Sequence, residues 1–296
     1  MPNVGRHTDL PQTARRVSVR SCREADAGHE ITKDDRYGDG MATGSRLAVV
    51  SGGGTGIGKQ IARMFASQGD RVVVIGRREE LLRQARAEIN EATGADHVIP
   101  VSADLTDPKQ VRGAAARIAE LGAVDVLVNN AGAIIRPPAD ESLEALARSW
   151  QHDLNINLLT AVLLTNALLQ QLSRPGGRLI MVSSAAAQRG GAGSHSAGSY
   201  AAAKAALHGW ALGLARQLGK DGITVNVLAP GYVQETDIFH GQDTADFVTA
   251  KVAETLVGRA GTPADVAAAI RYISSPAAGY LTGQIIGLNG GAVLGR

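Results

Sequence analysis

Leu47-Ala-Val-Val-Ser-Gly-Gly-Gly-Thr-Gly-Ile-Gly58 runs a short apolar strand straight into a glycine-rich turn, and residues 57–67 continue as helix-compatible sequence. Strand, turn and helix N-terminus together make a phosphate site: glycines let the backbone approach a pyrophosphate, and free N–H groups of the first helical turn meet its charge. The spacing Gly52-x-x-x-Gly56-x-Gly58 is a variant of the better-known dinucleotide fingerprint. Gly52, Gly54, Thr55, Gly56, Ile57 and Gly58 are the candidate contacts. Such a turn alone could be a flexible loop; the strand before it and the helix after it favour a nucleotide.

Outward from this stretch the pattern repeats. A second strand, 71–75, ends at Gly76-Arg77-Arg78, where a nucleotide fold puts an acid for a ribose hydroxyl or an Arg for a 2′-phosphate. The position holds no acid, so Arg77, seconded by Arg78, favours NADP(H) over NAD(H); the alternative is that both are solvated charges at the start of helix 79–92. A third strand, 98–101, leads to Asp104, which could accept from an adenine amino group or cap a turn. Helix 108–121 and strand 124–128 follow, the latter ending at Asn129-Asn130-Ala131-Gly132. This βαβ alternation with short connections specifies a parallel sheet covered by helices on both faces, with ligands beyond the carboxyl ends of its strands.

The second half is read as a long helix over 142–173 carrying Asn155 and Asn157, a strand 178–182 delivering Ser183-Ser184, and a Gly/Ser-rich loop 190–198. Next comes the Ala-rich stretch 199–218, whose composition without internal Pro makes it helical. Residues i and i+4 share a helix face, so Tyr200 and Lys204 point the same way. A nearby cation is expected to bring a phenol down from about 10 toward a value useful for proton transfer. On a solvent-facing helix the same spacing would be an ordinary surface pair. Strand 223–228, the break Ala229-Pro230-Gly231, a variable helical stretch 236–257, helix 263–274 and strand 284–288 complete one domain over 45–296.

Composition narrows the function. A formal charge of +2, from 30 basic and 28 acidic residues, creates no field for nucleic acid or an anionic membrane. The single cysteine, Cys22, excludes an intramolecular disulfide and a Cys-based metal site, and a cytoplasmic, reducing setting is expected. No uninterrupted apolar run reaches the roughly 18 residues of a membrane span. Residues 1–44 are charged and short of aliphatics; a disordered extension is the expectation, with a transit peptide or a true start at Met41 as alternatives. Neither G-x-S-x-G nor H-E-x-x-H occurs, which argues against a serine hydrolase and a metal-assisted hydrolase.

Ser51-Gly52-x-x-x-Gly56-Ile57-Gly58, Asp104-Leu105, Asn129-Asn130-Ala131-Gly132, Asn157, Ser184, Tyr200-x-x-x-Lys204, Pro230-Gly231 and Gly290-Gly291 occur in one order. Together they resemble the short-chain dehydrogenase/reductase family, in its compact single-domain branch, across essentially all of 45–296. The chain is similar to 3-oxoacyl-carrier-protein reductases and related alcohol dehydrogenases. The resemblance implies a Rossmann-type, doubly wound α/β fold with a parallel seven-stranded sheet of order 3-2-1-4-5-6-7, and a nicotinamide cofactor. It implies a tetrad of Asn157, Ser184, Tyr200 and Lys204: Tyr200 as acid/base, Ser184 on the substrate oxygen, Lys204 on the cofactor ribose, and Asn157 holding a water that links Lys204 to solvent. Asn157 is preferred to Asn155 because Trp150 precedes it by the family's usual interval, and Ser184 to Ser183 because of the position of Gly190.

By the same resemblance the cofactor also touches Asp104, Leu105, Asn130, Ala131, Gly132, Tyr200, Pro230, Gly231, Val233 and Thr236, and Tyr232 and Gln234 line the cleft. The reading is an oxidoreductase interconverting a carbonyl and a secondary alcohol, without a metal. A non-catalytic dinucleotide-binding regulator or redox sensor is the alternative, and the Tyr/Lys pair argues against it. His195 in the loop is either a substrate contact or an exposed histidine. The helices over 154–172 and 201–218 carry more apolar surface than one sheet face covers, so a homodimer or, by resemblance, a tetramer is expected.

Overall fold

A computed structural model describes residues 45–135, 142–191, 198–239 and 243–295. The expected 1–44 extension and His195 lie outside them. The described strands are β1 (Leu47–Ser51), β2 (Arg71–Gly76), β3 (Val98–Ser102), β4 (Val126–Asn129), β5 (Arg178–Val182), β6 (Thr224–Pro230) and β7 (Ile285–Leu288). They form a parallel sheet of order 3-2-1-4-5-6-7, as expected. Between them run α1 (Gly56–Ser67), α2 (Glu79–Thr93), α3 (Pro108–Ala119), α4 (Leu143–Leu154), α5 (Thr160–Leu168), α6 (Ala186–Arg189), α7 (Ser199–Leu218), α8 (Ala245–Ala253) and α9 (Pro263–Ile273).

Every residue of β1, β4, β5 and β6 is buried, which is why these strands are near-continuous apolar runs. Side chains alternate between two cores. Leu47, Val49, Val73 and Ile75 pack with residues of α3, α5 and α7, while Ala48, Val50, Val72 and Val74 pack with residues of α1, α2 and α9. On that second face Phe65 is fully buried in the same core as Val266 and Ile270 of α9, and its truncation to Ala would cost about 3–5 kcal/mol. The β3-β2-β1 half and the β4 to β7 half diverge at the β1/β4 junction, so the crevice at their carboxyl ends opens beside the glycine-rich turn.

One expected element is not continuous. The helix anticipated over 142–173 is α4, a single π-helical turn at Asn155–Leu159, and α5, after which Leu172 makes an isolated bridge to Val124. The cause is local. The Asn157 side chain is drawn out to the backbone of Ala133, and the wider turn accommodates that pull. Apolar periodicity alone does not register one inserted residue.

Capping fixes α9, which supports the β1–β2 side. Thr262 Oγ1 accepts from the Asp265 N–H (3.3 Å), Asp265 Oδ2 accepts from the Thr262 N–H (2.8 Å), and Arg259 holds both carboxylate oxygens (2.7 and 2.8 Å). Arg259 first, then the Thr262 bonds against the opposing effect of burial, hold the Asp265 carboxyl well below the usual carboxylate range. A carboxyl depressed in the folded state stabilises above its unfolded value of about 3.9, and that stability fades as pH falls toward the folded value. Asp265→Asn should therefore lower the unfolding free energy at pH 7 by about 0.5–2 kcal/mol, with the gap to wild type shrinking below about pH 4. Urea denaturation across that range measures it.

Candidate active site

The turn after β1 is built for close approach. Gly52 (φ 67°) and Gly56 (φ 49°) adopt backbone conformations that side chains disfavour. A Cβ on Gly58 would fall 2.1 Å from the Gly52 carbonyl oxygen, and one on Gly53 2.7 Å from Val74 Cγ1. Thr55, at the N-cap of α1, makes no side-chain cap, and the first turn holds no acid, whereas α3, α4, α8 and α9 are capped by Asp107, Ser142, Thr244 and Thr262. The leading N–H groups of α1 and the positive end of its dipole thus suit an anion, and this cradle fits a dinucleotide pyrophosphate.

Beside it, the segment after β4 is held from two directions. Ser51 Oγ accepts from the N–H groups of Asn130 and Ala131 (both 2.9 Å), and Asn130 Nδ2 donates to the Ser51 carbonyl (2.9 Å). From the π turn, Asn157 Oδ1 accepts from Ala133 N (3.0 Å) and Asn157 Nδ2 donates to Ala133 O (2.9 Å). Asn155, by contrast, accepts from Gln151 at the surface. Gly132 lies between these anchors: a Cβ there would stand 2.6 Å from Asn157 Oδ1 and 2.8 Å from Lys204 Nζ. Lys204 reaches this spot from α7, donates to the Val182 carbonyl (3.0 Å) and is 3% exposed. Burial brings its ammonium down to about 8.

The two serines ending β5 have different surroundings. Ser183 Oγ donates to the Lys204 carbonyl (2.9 Å) and bonds His208 Nε2 (2.8 Å), so it ties the strand to α7. Ser184 Oγ accepts from Ala186 N (3.1 Å) and hydrogen-bonds the Tyr200 hydroxyl. The Tyr200 ring is half-buried, and its phenol is pushed up to about 12 by burial; the Ser184 bond lowers it and the charge of Asp153 raises it. The expected depression by Lys204 is not among the influences on the phenol. The ammonium is turned to Val182 O and the Gly132 side, and desolvation of the phenol dominates.

The remaining candidates divide. Arg77 and Arg78 are exposed at the end of β2; Arg78 Nη2 lies 3.5 Å from Thr55 Oγ1, and the charge of Arg77 helps hold Asp104 below its ordinary value, after the Thr106 backbone bond. Asp104 Oδ1 accepts from Thr106 N and Oγ1. Thr236 packs over Gly56, 3.5 Å from where its Cβ would be, and donates to Val233 O. Pro230 ends β6, and Gly231 is pressed against Asn289. Leu105 and Val233 are 4% and 5% exposed, and their side chains belong to the two cores.

Sequence reading passed over two residues. Asp153 is 2% exposed, and its Oδ2 accepts a short hydrogen bond from Ser199 Oγ while its Oδ1 accepts from Asn157 Nδ2 (3.3 Å). An acid one helical turn before the chosen asparagine, on its buried face, was the available signal.

A parallel doubly wound sheet with an uncapped glycine turn and a buried Tyr/Lys site at its carboxyl edge defines a nicotinamide-dinucleotide oxidoreductase. The family model described as enoyl-(acyl carrier protein) reductase matches residues 52–293. The short-chain reductase protein NovJ of Streptomyces niveus is 36% identical over 253 residues, covering 83% of this chain and 93% of that protein. The 3-oxoacyl-[acyl-carrier-protein] reductase FabG of Vibrio cholerae is 34% identical over 249 residues, covering 83% and 96%. A short-chain dehydrogenase from Burkholderia cenocepacia, solved in complex with NADP, superposes with a TM-score of 0.73 at 36% identity over 83% of this chain and 97% of its own. The chain belongs to the short-chain dehydrogenase/reductase family and is an NAD(P)-dependent enzyme.

Gly132→Ala tests the close approach directly. The added methyl must displace Asn157 Oδ1 or Lys204 Nζ, so kcat should fall about tenfold to a hundredfold, with far-UV circular dichroism unchanged. Steady-state kinetics beside the spectrum measures both.

Proposed function

We propose that the chain is an NADP(H)-dependent oxidoreductase interconverting a carbonyl and a secondary alcohol, with Tyr200 as the acid/base. The observation that carries this reading is the convergence of the Tyr200–Ser184 hydroxyl pair with Lys204 and Asn157 beside the phosphate turn. When bound, a nicotinamide supplies or accepts the hydride. Gly52, Gly54, Thr55, Gly56, Ile57 and Gly58 would hold the pyrophosphate side. Asn130, Ala131, Gly132, Pro230, Gly231 and Thr236, with the backbone of Val233, would hold the nicotinamide side, and Asp104 and the backbone of Leu105 the adenine side.

In reduction, Tyr200 gives its proton to the substrate oxygen as the carbonyl carbon becomes tetrahedral; in oxidation it takes that proton back. Ser184 donates to the same oxygen and stabilises its developing charge. Lys204 adds a positive field, and Asn157 keeps the β4 segment and the π turn in register with it. Two hydroxyls aimed at one oxygen suit carbonyl chemistry, whereas a non-catalytic binding protein gives that pair no task.

Arg77 and Arg78 support the NADP(H) preference, because exposed guanidiniums at the end of β2 suit a 2′-phosphate. The NADP bound by the Burkholderia relative agrees with it. A homodimer or tetramer is part of the same reading. Leu143 (78% exposed), Leu146 and Trp150 make an apolar stripe on α4, and Leu212 adds to it from α7, so the surplus lies more on α4 than on the expected α5. The single Cys22 is consistent with a cytoplasmic setting.

Tyr200→Phe should abolish turnover of a ketone and alcohol panel while leaving NADPH binding within about twofold by fluorescence titration; full turnover in that variant removes the assignment. The double change Arg77→Ala, Arg78→Ala should raise the KM for NADPH about tenfold or more with little change for NADH, as expected for a lost charge-assisted contact of about 1.5–3 kcal/mol.

A further inference from the structure

The buried acid Asp153 is absent from the tetrad, yet it touches the site from two sides. It stands on α4 one turn before Asn157, accepts from Asn157 Nδ2 and from Ser199 Oγ, and has no cation within ion-pair distance among the described residues. Ser199 is the first residue of α7 and the neighbour of Tyr200. A carboxylate taken out of water without a cation is costly, and hydrogen bonds alone compensate it here. Through Ser199 the carboxyl is bonded to the residue next to Tyr200.

We propose that Asp153 is a positioning residue of the hydride-transfer site: its carboxylate fixes the Asn157 amide and the start of the helix bearing Tyr200, and its charge opposes phenolate formation at Tyr200. This rests on the reading of Tyr200 as acid/base. The geometry assigns a division of labour. Lys204 is turned to the Val182 carbonyl, while Asp153 and burial both disfavour phenolate, so Tyr200 is kept in the protonated form that reduction of a carbonyl consumes.

Other titratable or charged groups do not take over this role. On α7 these are Lys204, His208 one turn further, which bonds Ser183, and Arg216, exposed in the last turn. On α6, Arg189 is paired with Glu254 (2.7 Å). On α4, Glu144 in the first turn, Arg148 and His152 are exposed, while the π turn and β6 carry no charged side chain. Asp153 is the one charge among the described residues that acts on the phenol in the direction of protonation.

The test measures alcohol oxidation against pH for wild type, Asp153→Asn and Asp153→Glu, with Tyr200→Phe as control. Asp153→Asn should move the rising alkaline limb down by about half to one pH unit, and Asp153→Glu should restore it toward wild type. A purely structural role would lower kcat or thermal stability and leave the limb in place, and that outcome overturns the proposal. Turnover by Tyr200→Phe would instead remove the underlying acid/base reading. A second measurement needs no variant at 153: the ultraviolet phenolate titration of cofactor-free wild type minus that of Tyr200→Phe should show Tyr200 ionising above the ordinary phenol value of about 10. Ionisation below that value overturns the proposal even if Asp153→Asn does not fold.

Discussion

The backbone between β4 and α4 is gripped by side chains from two directions, and the site depends on that grip. Ser51 holds it from β1 and Asn157 from the π turn, each through paired bonds of 2.9–3.0 Å. Between them Gly132 presents no side chain, and Lys204 occupies the space so released. Loosening either anchor would let the segment drift by a fraction of an ångström, enough to close that space or to separate the lysine from the phosphate turn. The sheet supplies rigidity, but these bonds convert rigidity into position.

Electrostatics adds a second layer. Burial moves the two reactive groups in opposite directions, Lys204 down to about 8 and Tyr200 up to about 12. As pH rises in the cofactor-free protein, the ammonium loses its proton before the phenol does. Lysine alone is then a weak support for phenolate, and the positive charge of an oxidised nicotinamide is the natural complement.

Much of this was readable in the chain. The parallel sheet covered on both faces followed from alternating apolar runs and turns, whereas its strand order came from the family resemblance of the ordered motifs and agrees with the fold. Tyr200 and Lys204 were legible because helical spacing is local. What escaped depended on contacts between distant segments. The π turn arises from Asn157 reaching Ala133, the partner of Asp153 is 46 residues away at Ser199, and the upward shift of Tyr200 comes from burial that no spacing records. Leu105 and Val233 show the same limit: a motif names positions, and only the folded packing reveals that both side chains lie in the cores.

The π turn has a further consequence, for the tolerance of the chain to length change. One extra residue rotates everything before it by about 100° relative to everything after it. α4 can thus turn Asp153 inward and leave Leu143 and Trp150 outside, while α5 keeps Leu164 and Leu168 under the sheet. Deleting any one residue from 155–159 would restore a regular helix and put those two faces out of phase, although no contact residue need be lost. In this stretch substitution is a matter of chemistry, but length is a matter of phase.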